Sequence, residues 1–304
     1  MKLKKLILIT LTLILTLSLA ACNAMKPERQ KKTTEKGQMK VGEMMQEDKQ
    51  HVWFLGRYNN SYKVDGDSDV YRILVSKNGK LKVYYCHDIT NGDMKDYAKM
   101  SDNEIINKAK KEDKDTFEYI KKDLIKLTEG EIKETEKLIK EGSDYRPPAT
   151  TRSKGIVYGF SEYAYDGHGV KPEESLKKLK KYKKQLEDTN YEAPKSKKID
   201  LHYDDENDLF MSVGRDYPFP KNYVAHGDLT DTKGMKHILF EEALQPKEYN
   251  GQRFAGIAED GDKEQAEAEF LFLTTKVDDK VKNVLIDEKD DPAIKHNKPK
   301  KGEE

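Results

Sequence analysis

The chain has 304 residues, 56 basic and 56 acidic side chains and a formal charge of 0, with 37% charged against 36% hydrophobic residues. That balance argues against a nucleic-acid partner, which would show as a basic excess, and the length supports one large or two modest domains. The 17 Tyr allow a thin core to be filled by rings whose hydroxyls stay wet.

Lys2, Lys4 and Lys5 precede an uncharged run from Leu6 to Leu19, with small residues following at Ala20 and Ala21. The run is short of the roughly 20 apolar residues of a comfortable permanent span. Basic start, short apolar stretch and small residues describe a secretory signal peptide over residues 1–21. Cys22 comes next, and Leu19-Ala20-Ala21-Cys22 resembles the lipobox of bacterial membrane lipoproteins. The resemblance implies cleavage between Ala21 and Cys22, a diacylglycerol thioether on Cys22 with palmitate-type chains, and a lipid anchor on the extracytoplasmic face of the cell membrane. Two acyl chains on one residue anchor stably where one does not. Loss of residues 1–21 removes three Lys and moves the charge from 0 to about −3. Lys outnumbers Arg 49 to 7, a bias of AT-rich genomes, so the chain resembles a lipoprotein of a low-GC Gram-positive bacterium.

Residues 22–50 are polar without an apolar period and read as the lipidated Cys and a disordered stalk. The folded region is expected to open at His51, with a first half over 51–142 and a second over 153–288. Val70–Val75 and Leu81–Tyr85 flank Asn78-Gly79, the strongest short-range hairpin signal, and the Trp53 strand joins them. Ser101-Asp102-Asn103-Glu104 fits a capping box, and Phe117, Ile120, Leu124 and Leu127 form one helical stripe. Thr128-Glu129-Gly130-Glu131 repeats the cap pattern, so two or three helices are expected between 101 and 141, ended by Gly142.

Residues 143–152, with Pro147-Pro148, form the best internal boundary. Gly155–Tyr165 reads as strand, and Pro172 opens a helix lined by Leu176, Leu179 and Leu186. Lys198–Tyr203 and Leu209–Gly214 suggest a second hairpin. Met235, Ile238, Leu239 and Ala243 suggest a short helix. Ala266–Thr275 and Val281–Ile286 suggest a third strand pair, and residues 289–304 a disordered tail. The expected class is α+β, with antiparallel β-hairpins or sheet and packed amphipathic helices; the two halves are separate domains or one.

Candidate chemistry is sparse. Asp65, Asp67 and Asp69 open like a calcium loop but lack Gly at position six (Val70) and an acid at position twelve (Ser76), which favours a turn leading into a strand. Cys86-His87-Asp88 places neighbours on opposite strand faces, so Cys86 reads as a buried, idle thiol. It is the only thiol after Cys22, which rules out an internal disulfide or a Cys-based metal site in the mature chain. Gly159-Phe160-Ser161 lacks the second Gly of a nucleophile elbow, and Ser175-Leu176-Lys177-Lys178 stands without the companion motifs of penicillin-recognising enzymes. The seven His form no metal spacing, although His202 with Asp204 is a possible tertiary pair.

Aromatic loops remain. Tyr163, Tyr165 and His168, and Tyr217 with Phe219, are either a binding surface or core filler. The function these observations favour is a non-enzymatic surface lipoprotein, without cofactor, binding a surface or secreted protein or a wall component. The alternatives are a solute- or ion-capturing lipoprotein and a wall or peptide hydrolase with a tertiary site.

Overall fold

The computed structural model describes residues 36–58, 64–86, 92–142, 150–153, 156–160, 171–204, 208–220, 223–226, 237–259 and 270–294. The elements run β1 (Gln38–Lys40), α1 (Val41–Gln46), β2 (His51–Tyr58), β3 (Asp69–Lys77), β4 (Lys80–Tyr85), α2 (Met94–Ala98) and α3 (Asp102–Lys140). Then come β5 (Thr150–Ser153), β6 (Ile156–Phe160), α4 (Pro172–Asp188), β7 (Lys197–Lys198), β8 (Leu201–Tyr203) and β9 (Leu209–Ser212). The chain continues through β10 (Tyr223–His226), β11 (His237–Phe240), β12 (Glu242–Tyr249), β13 (Gln252–Ala258), β14 (Phe270–Val277) and β15 (Asn283–Leu285).

The fold is α+β. Its centre is a seven-stranded sheet in the order β12-β13-β14-β2-β3-β4-β7, antiparallel at every pairing. Both faces are covered, and the alternation of side chains assigns each residue to one of them. Trp53, Leu55, Leu74, Leu273 and Ile257 face a core shared with α1 and the smaller β8, β9 and β11 sheet. Val52, Phe54, Ile73, Phe272 and Phe254 face α2 and the start of α3. A third core joins the middle of α3 (Phe117, Ile120, Leu124) to α4 (Leu179, Tyr182, Leu186) and Tyr217.

Two Asn-Gly turns shape the sheet. Asn78 (φ 52°) and Gly79 (φ 67°) join β3 to β4, and Asn250 (φ 50°) and Gly251 (φ 77°) join β12 to β13. Consecutive positive φ matches the right-handed strand twist, which Asn-Gly provides. The first hairpin was expected; the second was not. On β12, the register shifts between Leu244 and Lys247, around Pro246. A residue without N–H belongs on an edge strand at a bulge. The Gln245 amide then clamps this edge to Val284, donating to its carbonyl at 3.1 Å and accepting from its N–H at 3.0 Å.

Several expectations are corrected. The stalk over 22–50 does not extend to His51: β1 pairs in parallel with β15, and Val41 and Met45 of α1 are fully buried. Order begins early because Val41 and Met45, set in a largely polar stretch, bury one apolar face. At the other end Asp291 and Ile294 are buried, so the tail expected from Lys289 is packed at least to Ile294. Strands from both sides of 143–152 share the large sheet, so that stretch does not separate two domains.

Where two or three helices were expected between 101 and 141, Asp102–Lys140 form one 39-residue helix. The Ser101 capping box is present, and Gly142 follows the helix with φ 72°. Thr128 is no cap: its hydroxyl bonds the Leu124 carbonyl at 2.7 Å in mid-helix. Of the short helix expected from Met235 to Ala243, His237–Phe240 are β11 and Glu242 starts β12, while Met235 lies outside the described residues. The expected third pair is also absent among the described residues: β14 lies between β13 and β2, and β15 pairs with β1. The β8–β9 hairpin is as expected, although Lys197–Lys198 leave it to join the large sheet.

Candidate functional site

The open edge of the large sheet positions a cleft. β4 is its last long strand, and β7 pairs with it only at Lys80 and Leu81. Pro194 lies three residues before β7 and has no N–H to extend the ladder. The chain leaves β4 there, opening a cleft of about 350 Å³ with Leu81 and Val83 at its base. Lys195, Lys197, Lys198 and Arg215 face it, as do Glu192, Asp200 and Asp216. The exposed charges pair loosely, Lys195 with Glu192 at 3.2 Å and Lys197 with Asp216 at 3.8 Å. Exposed pairs of this kind contribute about 0–1 kcal/mol each, so a ligand carrying either sign can replace them at little cost.

Behind the cleft sits a fully buried carboxylate, Asp113 of α3. Its Oδ1 accepts the Tyr85 N–H at 3.0 Å and the Tyr217 hydroxyl at 3.1 Å; its Oδ2 accepts the Tyr191 hydroxyl at 2.7 Å and Arg215 Nη2 at 3.1 Å. Arg215 also donates to the carbonyls of Asp216 and Glu192. One ion pair thereby fixes α3, the end of β4 and both walls of the cleft. Burial, and next the Asp113 charge, push the Tyr217 hydroxyl far above its usual range. Burial and the hydrogen bond to Asp113 do the same to Tyr191. Both phenols therefore remain donors. Arg72, also buried, gives the cleft side a second anchor through the Val213 carbonyl (3.2 Å) and the Tyr85 hydroxyl (2.8 Å).

Tyr217 is 7% exposed, and Phe219 stacks on Phe117 at 4.9 Å with the rings parallel. Of the two readings for these aromatics, the structure assigns Tyr217 to the core and seats Phe219 against it. Tyr163, Tyr165 and His168 lie outside the described residues, as do Ala21 and Cys22.

The Asp65–Asp69 loop is a turn. Asp65 Oδ1 accepts the Asp67 N–H at 3.0 Å, Lys95 bonds Asp67 and, at 2.8 Å, Asp93, and Asp69 starts β3. The Lys95 ammonium is the cation that Asp67 faces. His202 lies 3.2 Å from Asp200, and the Asp204 carboxylate accepts the Asp208 N–H at 2.9 Å.

Cys86 is buried, and His87 and Asp88 lie outside the described residues. Burial pushes its thiol well above the ordinary range; Glu112 adds to this and Lys108 opposes it. With so little thiolate, alkylation of native Cys86 at pH 8 should run about 100-fold slower than for an exposed thiol and recover in denaturant. Mass spectrometry of iodoacetamide-treated protein reads this directly. Rapid native labelling would contradict the idle-thiol assignment.

Sequence reasoning missed Asp113, Arg215 and the Lys195–Lys198 rim. The available signal was a lone Pro three residues before a Lys pair, and an Arg beside the Tyr-Pro-Phe loop. Among the described residues no helix is long and apolar enough to cross a membrane. No family model, curated protein or solved structure matches the chain.

Proposed function

We propose that the chain is a lipoprotein of the cell membrane, held at its extracytoplasmic face by Cys22. Its folded unit binds an extended segment of a surface or secreted protein, without catalysis, along the β4 edge. One observation carries this reading: β7 covers only Lys80 and Leu81, Asp113 takes the Tyr85 N–H, and between them the edge at Val83 lines a cleft rimmed by both signs of charge. Extended segments add to sheet edges through main-chain hydrogen bonds, and flanking charges set register and partner. The opposite edge, with its Pro246 bulge and Gln245 clamp, is closed to such pairing.

The test uses the full chain in intact cells with a photo-crosslinking residue at position 195, where the Lys side chain is 83% exposed. One dominant protein adduct is expected, reduced about tenfold by Lys197→Glu and absent with the probe at exposed Lys181 of α4. The same adducts from both positions would overturn the edge reading. The tether is tested separately: Cys22→Ala should incorporate no labelled palmitate and leave the membrane fraction. Label on that variant would overturn the lipobox assignment.

A further inference from the structure

After β15 the chain places Asp287, Glu288, Asp290 and Asp291 within five residues. Carboxylate oxygens of Glu288, Asp290 and Asp291 lie within 4.8 Å of one another. Asp291 is fully buried, and its Oδ2 accepts Lys40 Nζ and the Glu288 N–H, both at 2.6 Å. Its Oδ1 is buried with no partner. Asp287, 1% exposed, shows the same pattern: Oδ2 accepts the Gly42 N–H at 2.9 Å while Oδ1 is unpartnered. Only Gly fits at position 42, because a Cβ there would stand 2.6 Å from that Oδ1. Lys289 turns to the Tyr203 ring, 5.4 Å from its centroid.

A buried carboxylate oxygen without a partner is costly, and two lie here beside further negative charge. Lys40 answers Oδ2 of Asp291, and Oδ1 of the same carboxylate stays unbonded. The Asp65–Asp69 turn differs, because Lys95 there answers exposed groups and Asp65 bonds its own loop.

We infer that Glu288, Asp290 and Asp291 bind a divalent cation, calcium, which clasps the C-terminal segment to Lys40 of β1. The ligand type is oxygen throughout, as calcium takes. Oxygens on opposite sides of a calcium ion stand about 5 Å apart, twice its 2.3–2.6 Å bond, which accommodates this spread; the shorter magnesium bonds would require a tighter set. Glu288 and Asp290 are exposed and Asp291 is buried, so two ligands meet an arriving ion while the third is fixed in place.

The experiment titrates detergent-solubilised full chain, stripped with chelator, with calcium chloride and then magnesium chloride by calorimetry. One calcium site is expected, with Kd on the order of 10⁻⁴–10⁻³ M, the range of extracellular modules. Magnesium should bind at least about tenfold more weakly. Terbium should give luminescence sensitised by Tyr203, whose hydroxyl bonds the Asp287 carbonyl at 2.6 Å. Glu288→Gln with Asp290→Asn alters only exposed groups and should weaken calcium about tenfold while circular dichroism is unchanged. No calcium heat up to about 5 mM, or unchanged affinity in that double variant, would overturn the site. The crosslinking test at position 195 is scored independently of it.

Discussion

Asp113→Ala is expected to lower the unfolding free energy by about 3–5 kcal/mol, the range for breaking a buried ion pair from one side. The Arg215 guanidinium, 8% exposed, would lose its carboxylate, and the Tyr191 hydroxyl and Tyr85 N–H would lose their acceptor. Urea unfolding followed by circular dichroism checks this, and a loss below about 1 kcal/mol would show that solvent replaces the contacts. Asp113→Asn should fall between, since it keeps an acceptor oxygen but leaves the Arg charge uncompensated. Either variant frees the carbonyl of Glu192 from Arg215. The cleft wall should loosen with it, and adduct yield from position 195 should drop alongside stability.

Trp53→Ala should cost about 3–5 kcal/mol for the cavity. A further ~1 kcal/mol follows from Ser76 Oγ, which loses its donor. Trp53 is fully buried in β2 near the middle of the large sheet, and its Nε1–H reaches Ser76 at 2.8 Å on β3. Trp53→Phe, which keeps ring volume but not the donor, should lose less than half as much. Since Trp53 is the only Trp, circular dichroism rather than fluorescence must follow both variants. Equal losses for Ala and Phe would place the cost in the hydrogen bond rather than in packing.

What the sequence reveals depends on how local each signal is. The Asn78-Gly79 hairpin, the Ser101 capping box and Pro172 at a helix start are set within a few residues, and all are present. Asn250-Gly251 carries the same turn chemistry but follows EALQPKEY, an edge strand too polar to show alternation. Met235, Ile238, Leu239 and Ala243 fit helical spacing, yet His237–Phe240 is held as strand by pairing with β9, which no local preference reports. The site was less legible still. Asp113 meets Tyr85, Tyr191, Arg215 and Tyr217 across separations of 28, 78, 102 and 104 residues. Nothing in the spacing of those residues marks them as one group. The lipidation proposed at Cys22, by contrast, rests on four adjacent residues.

The parallel pairing of β1 with β15 bears on the order in which the chain can fold. Lys40 and Asp291 are 251 residues apart, and β2, near the middle of the sheet, likewise waits for β14. A chain emerging N-terminus first can form the β2-β3-β4 meander at once. It cannot close its first strand or complete the Trp53 face until the last strands have emerged. Such distant pairing slows folding, because loop entropy is lost before the contacts form. A chain with that delay stays open through most of its emergence, which would suit the secretion proposed above.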